Sequence, residues 1–426
     1  MKKCYILMKI RPALQFMVVI SPSTVNETFP MGIEQPVVLS HVHQPYFAVT
    51  LQPGKALPHA LRWQPPLTAQ ILLSRDLLSQ SLQEDAPEQV LLYGETAKGL
   101  LPLVWQGKEG FNFALDMSAW LAIMQQETYR PVHGKPFYAS LPFHYKKVPA
   151  LFRTGAEYII QRLPSRAARA TLFTPFNIGG ELLTHLWQGA SRHGPCVILT
   201  HDMESAVAFD WIDPIMALEG EVGWVAEWMV IPRLYPIDHQ ALKRLLTAGH
   251  HIGLHGIWHS NAEPFLAPER LQQEFTALKP FMEDYAIQGY RGPGWFRTHT
   301  LDKVLADFFQ YDLTVLDNDF CCPAMPGGVG SSRPFRRSSG LAVLPCSLPF
   351  EAPLFRGVEP EQLVSYWSPK LDYLRRTGGV VLINTHPEPG YLARPGMPKA
   401  YGHLLHILRQ QGWQAMLPST FVQEWL

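Results

Sequence analysis

Cysteine is scarce in this 426-residue chain and shows no metal-binding spacing. The five cysteines are Cys4, Cys196, Cys321, Cys322 and Cys346. An odd number of cysteines without a C-x2-C pair indicates neither a disulfide framework nor a zinc finger. We therefore expect a reducing compartment, which predicts a cytoplasmic protein.

Net charge is also missing. Lysine plus arginine number 36, and aspartate plus glutamate number 36, so the formal charge at pH 7 is zero. The chain therefore lacks the basic excess that is typical of proteins binding nucleic acid or anionic lipid. An uncharged partner such as a carbohydrate fits this composition better, and the composition predicts no particular oligomeric state.

Long hydrophobic runs are absent as well. No run approaches the roughly 20 apolar residues that a membrane-spanning helix requires. The N-terminal stretch Met1–Met8 begins like a secretion signal, but Lys9 and Arg11 interrupt its apolar residues and no clear cleavage pattern follows. Export is therefore the alternative to a cytoplasmic location.

Apolar residues are plentiful, at 47% of the chain against 17% charged residues, which is typical of a globular enzyme and excludes a disordered chain. We predict three parts: an irregular leader over residues 1–30, a smaller α+β accessory domain over residues 31–193, and a barrel over residues 194–426. Apolar residues recur with helical spacing near 67–82 and near 113–126. The pair Gly194-Pro195 marks the start of the barrel.

The pattern after residue 194 alternates between short β-rich runs and amphipathic helical segments. The runs end near Thr200, Val230, Leu254, Tyr290, Leu316, Leu344, Thr385 and Met416. Strand-helix alternation repeated seven or eight times predicts a parallel sheet closed into a (β/α) barrel. In such barrels the functional side chains lie at the carboxyl ends of the strands.

Ionisable side chains follow two of these runs directly. The run Val197–Thr200 leads into His201-Asp202-Met203-Glu204, and Ile252–Leu254 leads into His255-Gly256-Ile257-Trp258-His259. Two imidazoles and one carboxylate are ligands that suit zinc or a similar divalent ion, and three protein ligands leave positions open for water and substrate. His251 offers another register, but it lies at the start of its strand, whereas His255 and His259 follow the end.

Three later segments complete an ordered set of motifs. In order, the set is Thr200-His201-Asp202-Met203-Glu204, His255 with His259, Arg291-Gly292-Pro293, Asp317 to Phe320, and Ile383-Asn384-Thr385-His386. Each motif alone is weak, but five in this order form a strong match. The set resembles the polysaccharide deacetylases of carbohydrate esterase family 4, which carry the NodB homology domain, and it is similar to that of a divergent bacterial member.

The resemblance implies a deformed (β/α)7-type barrel that binds one divalent metal, often zinc. It also implies hydrolysis of an acetamide on an N-acetylated sugar or a surface polysaccharide precursor. By position, Asp202 would be the catalytic base, Arg291 the residue that orients this base, and His386 the general acid. The implied metal ligands are Glu204, His255 and His259.

Four further residues are secondary candidates. Asp317 and Asp319 are expected to be hydrogen-bond partners of the metal-binding imidazoles. Trp295 could stack on a sugar ring. His201 stands where the family usually has Phe, and Met203 replaces the family's second Asp, which displaces the acid to Glu204.

Other interpretations remain open at this point. Asp202 could cap a helix, and the two imidazoles could be ordinary surface residues, because each motif alone is common. The string His43-Gln44-Pro45 is similar to the first motif of some α-glucan hydrolases, so a glycosidase is one rival. A glycan-binding barrel without turnover is a second alternative, and another C–N hydrolase on the same fold is a third.

Overall fold

The computed structural model describes part of the N-terminal half and almost all of the C-terminal half of the chain. The described residues are 47–53, 67–71, 90–96, 99–106, 111–113, 125 and 193–426, without 261, 318–327 and 330. The expected leader, and the His43-Gln44-Pro45 string, lie outside these residues. The division near residue 194 stays a prediction.

The described N-terminal residues form a five-stranded antiparallel sheet with the order β2-β1-β3-β4-β5. Its strands are β1 (Phe47–Pro53), β2 (Leu67–Ile71), β3 (Val90–Thr96), β4 (Gly99–Gln106) and β5 (Phe111–Phe113). The helix predicted near 67–82 is therefore wrong at its start, because residues 67–71 form strand β2, in which Ile71 pairs with Phe47 of β1. Leu67, Ala69 and Ile71 also alternate with polar residues, and this period of two is the pattern that the fold uses.

The C-terminal residues form a ten-stranded sheet that curls into a half-barrel. Its strands are β6 (Cys196–Asp202), β7 (Glu227–Val230), β8 (His251–Leu254), β9 (Gly289–Tyr290), β10 (Tyr311–Asp312), β11 (Phe335–Arg336), β12 (Ala342–Val343), β13 (Leu348–Pro349), β14 (Val381–Thr385) and β15 (Gln414–Ala415). The order is β11-β12-β10-β9-β8-β7-β6-β14-β13, with β15 beside β6. Only the β11–β12 pair is antiparallel among the described strand pairs of this sheet. The predicted deformed (β/α) barrel is confirmed.

Helices connect most of these strands. They are α1 (Ile212–Glu221), α2 (His239–Thr247), α3 (Pro268–Asp284), α4 (His299–Leu305), α5 (Leu363–Thr377), α6 (Met397–Gln410) and α7 (Pro418–Trp425). Helix α2 shows how local chemistry sets the bounds, because the Asp238 side chain accepts hydrogen bonds from the backbone N–H groups of Gln240 and Ala241. Gly249, with φ at +88°, follows the helix and turns the chain toward β8.

Strand β6 divides its side chains between two apolar clusters. Val197 and Leu199 belong to the cluster shared with the helices, whereas Ile198 belongs to the cluster inside the curled sheet. Side chains alternate along a strand, so Asp202 faces the inside of the sheet and His201 faces the helices. Strand β14 repeats this division. Ile383 belongs to the cluster shared with the helices, and Leu382 belongs to the cluster inside the curled sheet.

No helix within the described ranges is both long and apolar enough to cross a membrane.

Candidate metal and catalytic centre

The candidate site lies at the carboxyl ends of β6, β8, β9 and β14, which are parallel strands of the half-barrel. Asp202 is the last residue of β6, and Glu204 follows it by two residues. His255, Arg291 and His386 come directly after β8, β9 and β14. Because adjacent parallel strands end at the same edge of a sheet, these five side chains are brought to one place although they are far apart in sequence.

Glu204, His255 and His259 form a triad whose ligand atoms all lie within 4.8 Å of one another. Glu204 Oε1 is 2.8 Å from His259 Nε2 and 3.8 Å from His255 Nε2. The two imidazole ring centres are 5.0 Å apart. One oxygen and two nitrogen donors in this arrangement suit a borderline divalent ion such as zinc.

The hydrogen bonding of His255 fits a metal ligand. Its Nδ1 lies 3.1 Å from the backbone carbonyl of Arg291, so this nitrogen carries the proton. Its Nε2 therefore presents a lone pair, and this atom is buried without a hydrogen-bond partner. An unpaired buried acceptor is costly in a folded protein, and a metal ion bound there would satisfy it.

The loop that joins the two imidazoles has an unusual backbone. Gly256 has φ at +68°, and His259, which is not a glycine, has φ at +58°. The buried carboxylate of Glu263 accepts hydrogen bonds from the backbone N–H groups of Ile257 and Trp258. Burial raises the pKa of Glu263 to about 7, while these donors act in the opposite direction.

Asp202 is buried at the centre of the site and is paired with Arg291. Arg291 Nη1 donates to Asp202 Oδ1 over 2.9 Å. Burial raises the pKa of Asp202, but the charges of Arg291, His255 and His386 outweigh this effect and hold the pKa below its usual value. Asp202 is therefore a carboxylate at neutral pH.

Arg291 is itself held by the surrounding strands. Its Nη1 also donates to Thr200 Oγ1 over 2.9 Å and to Asn384 Oδ1 over 2.6 Å, and its Nε donates to the backbone carbonyl of Leu313. These contacts link β6, β9 and β14 beneath the site. Arg291 thereby fixes the position of Asp202 relative to the neighbouring strands.

His386 lies on the other side of Asp202. Its Nε2 is 3.8 Å from Asp202 Oδ2 and 3.9 Å from Glu204 Oε1. Its Nδ1 lies 2.7 Å from Glu351 Oε2, and its backbone N–H donates to Glu351 Oε1. Burial lowers the pKa of His386, but the charges of Glu351, Glu204 and Asp202 outweigh this effect and raise the pKa to about 10. His386 is therefore a cation at neutral pH.

The secondary candidates lie in different places. His201 points away from the site, with Nε2 2.7 Å from Glu219 Oε1 and Nδ1 2.6 Å from Thr385 Oγ1. The reason is the strand alternation, which turns His201 toward the helices when Asp202 faces the inside. Asp317 forms an ion pair with Lys370, and its proposed contact with an imidazole stays a prediction.

The other two secondary candidates have different outcomes. The Trp295 ring lies beneath the guanidinium of Arg291, with 5.5 Å between Arg291 Cζ and the ring centre. Trp295 therefore packs against the residue that holds Asp202. Asp319 lies outside the described residues.

Sequence reasoning did not identify three buried acids around the site. Glu351 pairs with His386, and Glu263 binds the loop between the imidazoles. Glu388 accepts hydrogen bonds from the backbone N–H groups of Glu204 and Ser205 over 2.7 and 3.1 Å. One signal was present, because Glu388 follows His386 by two residues and could have been included in the same motif.

Comparison with known protein families and with curated proteins finds no match. Solved structures similar to the chain include a provisionally assigned polysaccharide deacetylase from Mycobacterium smegmatis, with 20% identity, a TM-score of 0.44, and coverage of 56% of this chain and 93% of that one. An allantoinase has 12% identity, a TM-score of 0.43, and coverage of 54% and 89%. A pseudoenzyme of carbohydrate esterase family 4 from Bacillus anthracis has 13% identity, a TM-score of 0.36, and coverage of 54% and 66%.

Proposed function

We propose that this protein is a metal-dependent amide hydrolase that removes an acetyl group from an N-acetylated sugar or a surface polysaccharide precursor. The observation that carries this proposal is the position of Asp202. Its Oδ2 lies 3.8 Å from the Nε2 of His255, in the metal-binding triad, and 3.8 Å from the Nε2 of His386. A carboxylate, a candidate metal triad and a cationic imidazole thus lie together in one site.

Glu204, His255 and His259 would hold the divalent ion, and zinc suits their two nitrogens and one oxygen. Such an ion lowers the pKa of a bound water and polarises a carbonyl oxygen. The three side chains approach from two strands, which leaves the remaining directions for water and substrate.

Asp202 acts as the general base in this proposal. Its lowered pKa keeps it ionised, so it can accept a proton from the attacking water at neutral pH. Arg291 acts through Asp202 as a positioning residue. Its guanidinium binds Oδ1 of Asp202 and leaves Oδ2 directed toward His255 and His386.

His386 acts as the general acid. Amide hydrolysis must expel an amine, which is a poor leaving group until its nitrogen is protonated. Glu351 binds Nδ1 of His386, and Nε2 faces the Asp202 carboxylate, so the proton donor is both oriented and kept charged. This arrangement favours an amide substrate over an ester, because the alcohol that leaves an ester depends less on protonation than the amine that leaves an amide.

The carbohydrate substrate rests on the resemblance of the five motifs to polysaccharide deacetylases and on the absence of net charge. Purified full-length protein loaded with zinc is expected to release acetate from at least one member of a panel of N-acetylated monosaccharides and oligosaccharides. An Asp202→Asn, His386→Ala double variant is the control and should release none. Sugar binding without acetate release by the parent would contradict the enzyme and support the glycan-binding alternative.

A further inference from the structure

Glu263 is a buried acid that the proposed reaction does not use. Its side chain is 1% exposed, and it lies at the start of a short helical turn, Glu263–Phe265. Buried carboxylates are rare unless they have partners, because removing a charge from water is costly. The partners of Glu263 therefore indicate why it is there.

Those partners are the backbone between the two metal-binding imidazoles. The N–H of Ile257 donates to both carboxylate oxygens of Glu263, over 3.0 and 2.9 Å, and the N–H of Trp258 donates to Oε2 over 3.3 Å. Ile257 and Trp258 lie between His255 and His259. Glu263 thus holds the middle of the segment whose two ends carry the ligands.

A second contact joins this segment to the neighbouring strand. The Tyr290 hydroxyl donates to Glu263 Oε1 over 3.2 Å. Tyr290 is the last residue of β9, and the carbonyl of the next residue, Arg291, faces His255 Nδ1. The carboxylate therefore ties the loop to the strand whose backbone sets the orientation of the first imidazole.

The loop needs such a restraint because of its backbone. His259 has φ at +58°, a left-handed conformation that is strained for a residue other than glycine and persists only where the surroundings hold it. Gly256 is also closely surrounded, because a Cβ at this position would lie 2.7 Å from Pro293 Cγ and 3.2 Å from Glu263 Oε1. The backbone of the loop therefore passes close to both Pro293 and Glu263.

From these contacts we propose that Glu263 is the positioning residue of the metal site, which fixes the separation of His255 and His259 and thereby sets the metal affinity. The inference rests on the proposed function, since it requires that the two imidazoles bind a metal. It predicts that a change at Glu263 weakens metal binding without removing any ligand.

The test compares two matched pairs of variants. Glu263→Gln and Tyr290→Phe alter the loop contacts. Glu219→Gln and Tyr401→Phe are the controls, because Glu219 is equally buried and accepts a hydrogen bond from the Tyr401 hydroxyl over 2.8 Å, but on the helical side of the sheet. For each full-length variant, the zinc dissociation constant is measured by competition with a chromophoric chelator, and the melting temperature of the metal-free protein is recorded.

We expect Glu263→Gln to raise the zinc dissociation constant about 10- to 100-fold, as loss of an outer-shell partner typically does. Tyr290→Phe should raise the zinc dissociation constant by a smaller factor. The two control variants should lower the melting temperature but leave the zinc dissociation constant unchanged. If Glu263→Gln does not fold, the Tyr290→Phe and Tyr401→Phe pair decides. Equal zinc affinity in a folded loop variant and its control overturns this inference alone, whereas a parent protein that binds no zinc overturns the proposed function with it.

Discussion

Glu351 accepts hydrogen bonds from both the backbone N–H and the ring Nδ1 of His386, over 2.8 and 2.7 Å. The double contact fixes the ring and places a negative charge against it. Burial alone would lower the pKa of His386, so Glu351 is a main reason that the ring is protonated at neutral pH. The orientation and the charge of the proposed proton donor therefore come from the same residue.

Replacing Glu351 should change the titration of His386. In Glu351→Gln the pKa of His386 should fall from about 10 toward its ordinary value of 6.5, because the opposing charge is lost while burial remains. The sign follows from linkage: the ion pair stabilises the fold fully below pH 6.5 and loses its contribution as the pH rises through about 10.

NMR titration of the ring resonances in metal-free protein measures this pKa directly. His406, which is exposed and pairs with Glu221, provides a reference resonance outside the site. The alkaline limb of kcat/KM should also move to lower pH in the variant. A His386 pKa that stays near 10 in Glu351→Gln would assign the shift to Asp202 and Glu204 instead.

Asp202→Asn should lower kcat about 10²- to 10⁴-fold, because the amide cannot accept the proton of the attacking water. Zinc content should stay at the parental level, since Asp202 is not one of the triad. Steady-state acetate release and metal analysis measure the two effects. Asp213→Asn is the control, because Asp213 is 65% exposed and lies in the first turn of α1. A fully active Asp202→Asn variant would exclude Asp202 as the base.

His255→Ala and His259→Ala should each lose zinc, because each removes one of three protein ligands. Metal content after dialysis against a weak chelator measures the loss. His406→Ala is the matched control, since it removes a half-exposed imidazole outside the site. Parental zinc content in either site variant would show that the triad does not hold the ion.

Gly256→Ala should destabilise the fold more than an ordinary replacement of a left-handed glycine. The positive φ costs about 1–2 kcal/mol, and the contact of the new Cβ with Pro293 adds about 1–3 kcal/mol. Gly412→Ala is the control, because Gly412 has φ at +81° with nothing within 4 Å of its Cβ position. Urea unfolding of metal-free protein measures both, and equal losses would show that Pro293 moves aside without cost.

The sequence pattern predicted the strand ends of the barrel well because those ends carry local signals. Val197–Thr200 and Ile252–Leu254 are apolar runs that stop at ionisable residues, and the observed strands β6 and β8 end within two residues of those limits. The start of helix α2 carries a local signal too, because Asp238 is its N-cap. Leu67–Ile71 was misread because Leu67 and Ile71 fit a helical spacing as well as a strand alternation.

The side chains that support the site could not be predicted in the same way. Glu351 reaches His386 across 35 residues, and Glu263 and Tyr290 meet from separate elements. Such contacts depend on how loops fold back, and no periodicity marks them. The position of His201 was predictable in principle, because neighbouring residues on a strand face opposite sides and His201 adjoins Asp202.

Strands β6 and β14 lie side by side, with Thr385 beside His201, although 184 residues separate these two positions. The three proposed metal ligands and Asp202 all precede Val381 in the chain, whereas the proposed proton donor directly follows β14. On the proposed assignment, the binding of the ion and the protonation of the leaving group are therefore encoded in separate segments of the sequence, and the pairing of β14 with β6 is the contact that unites them.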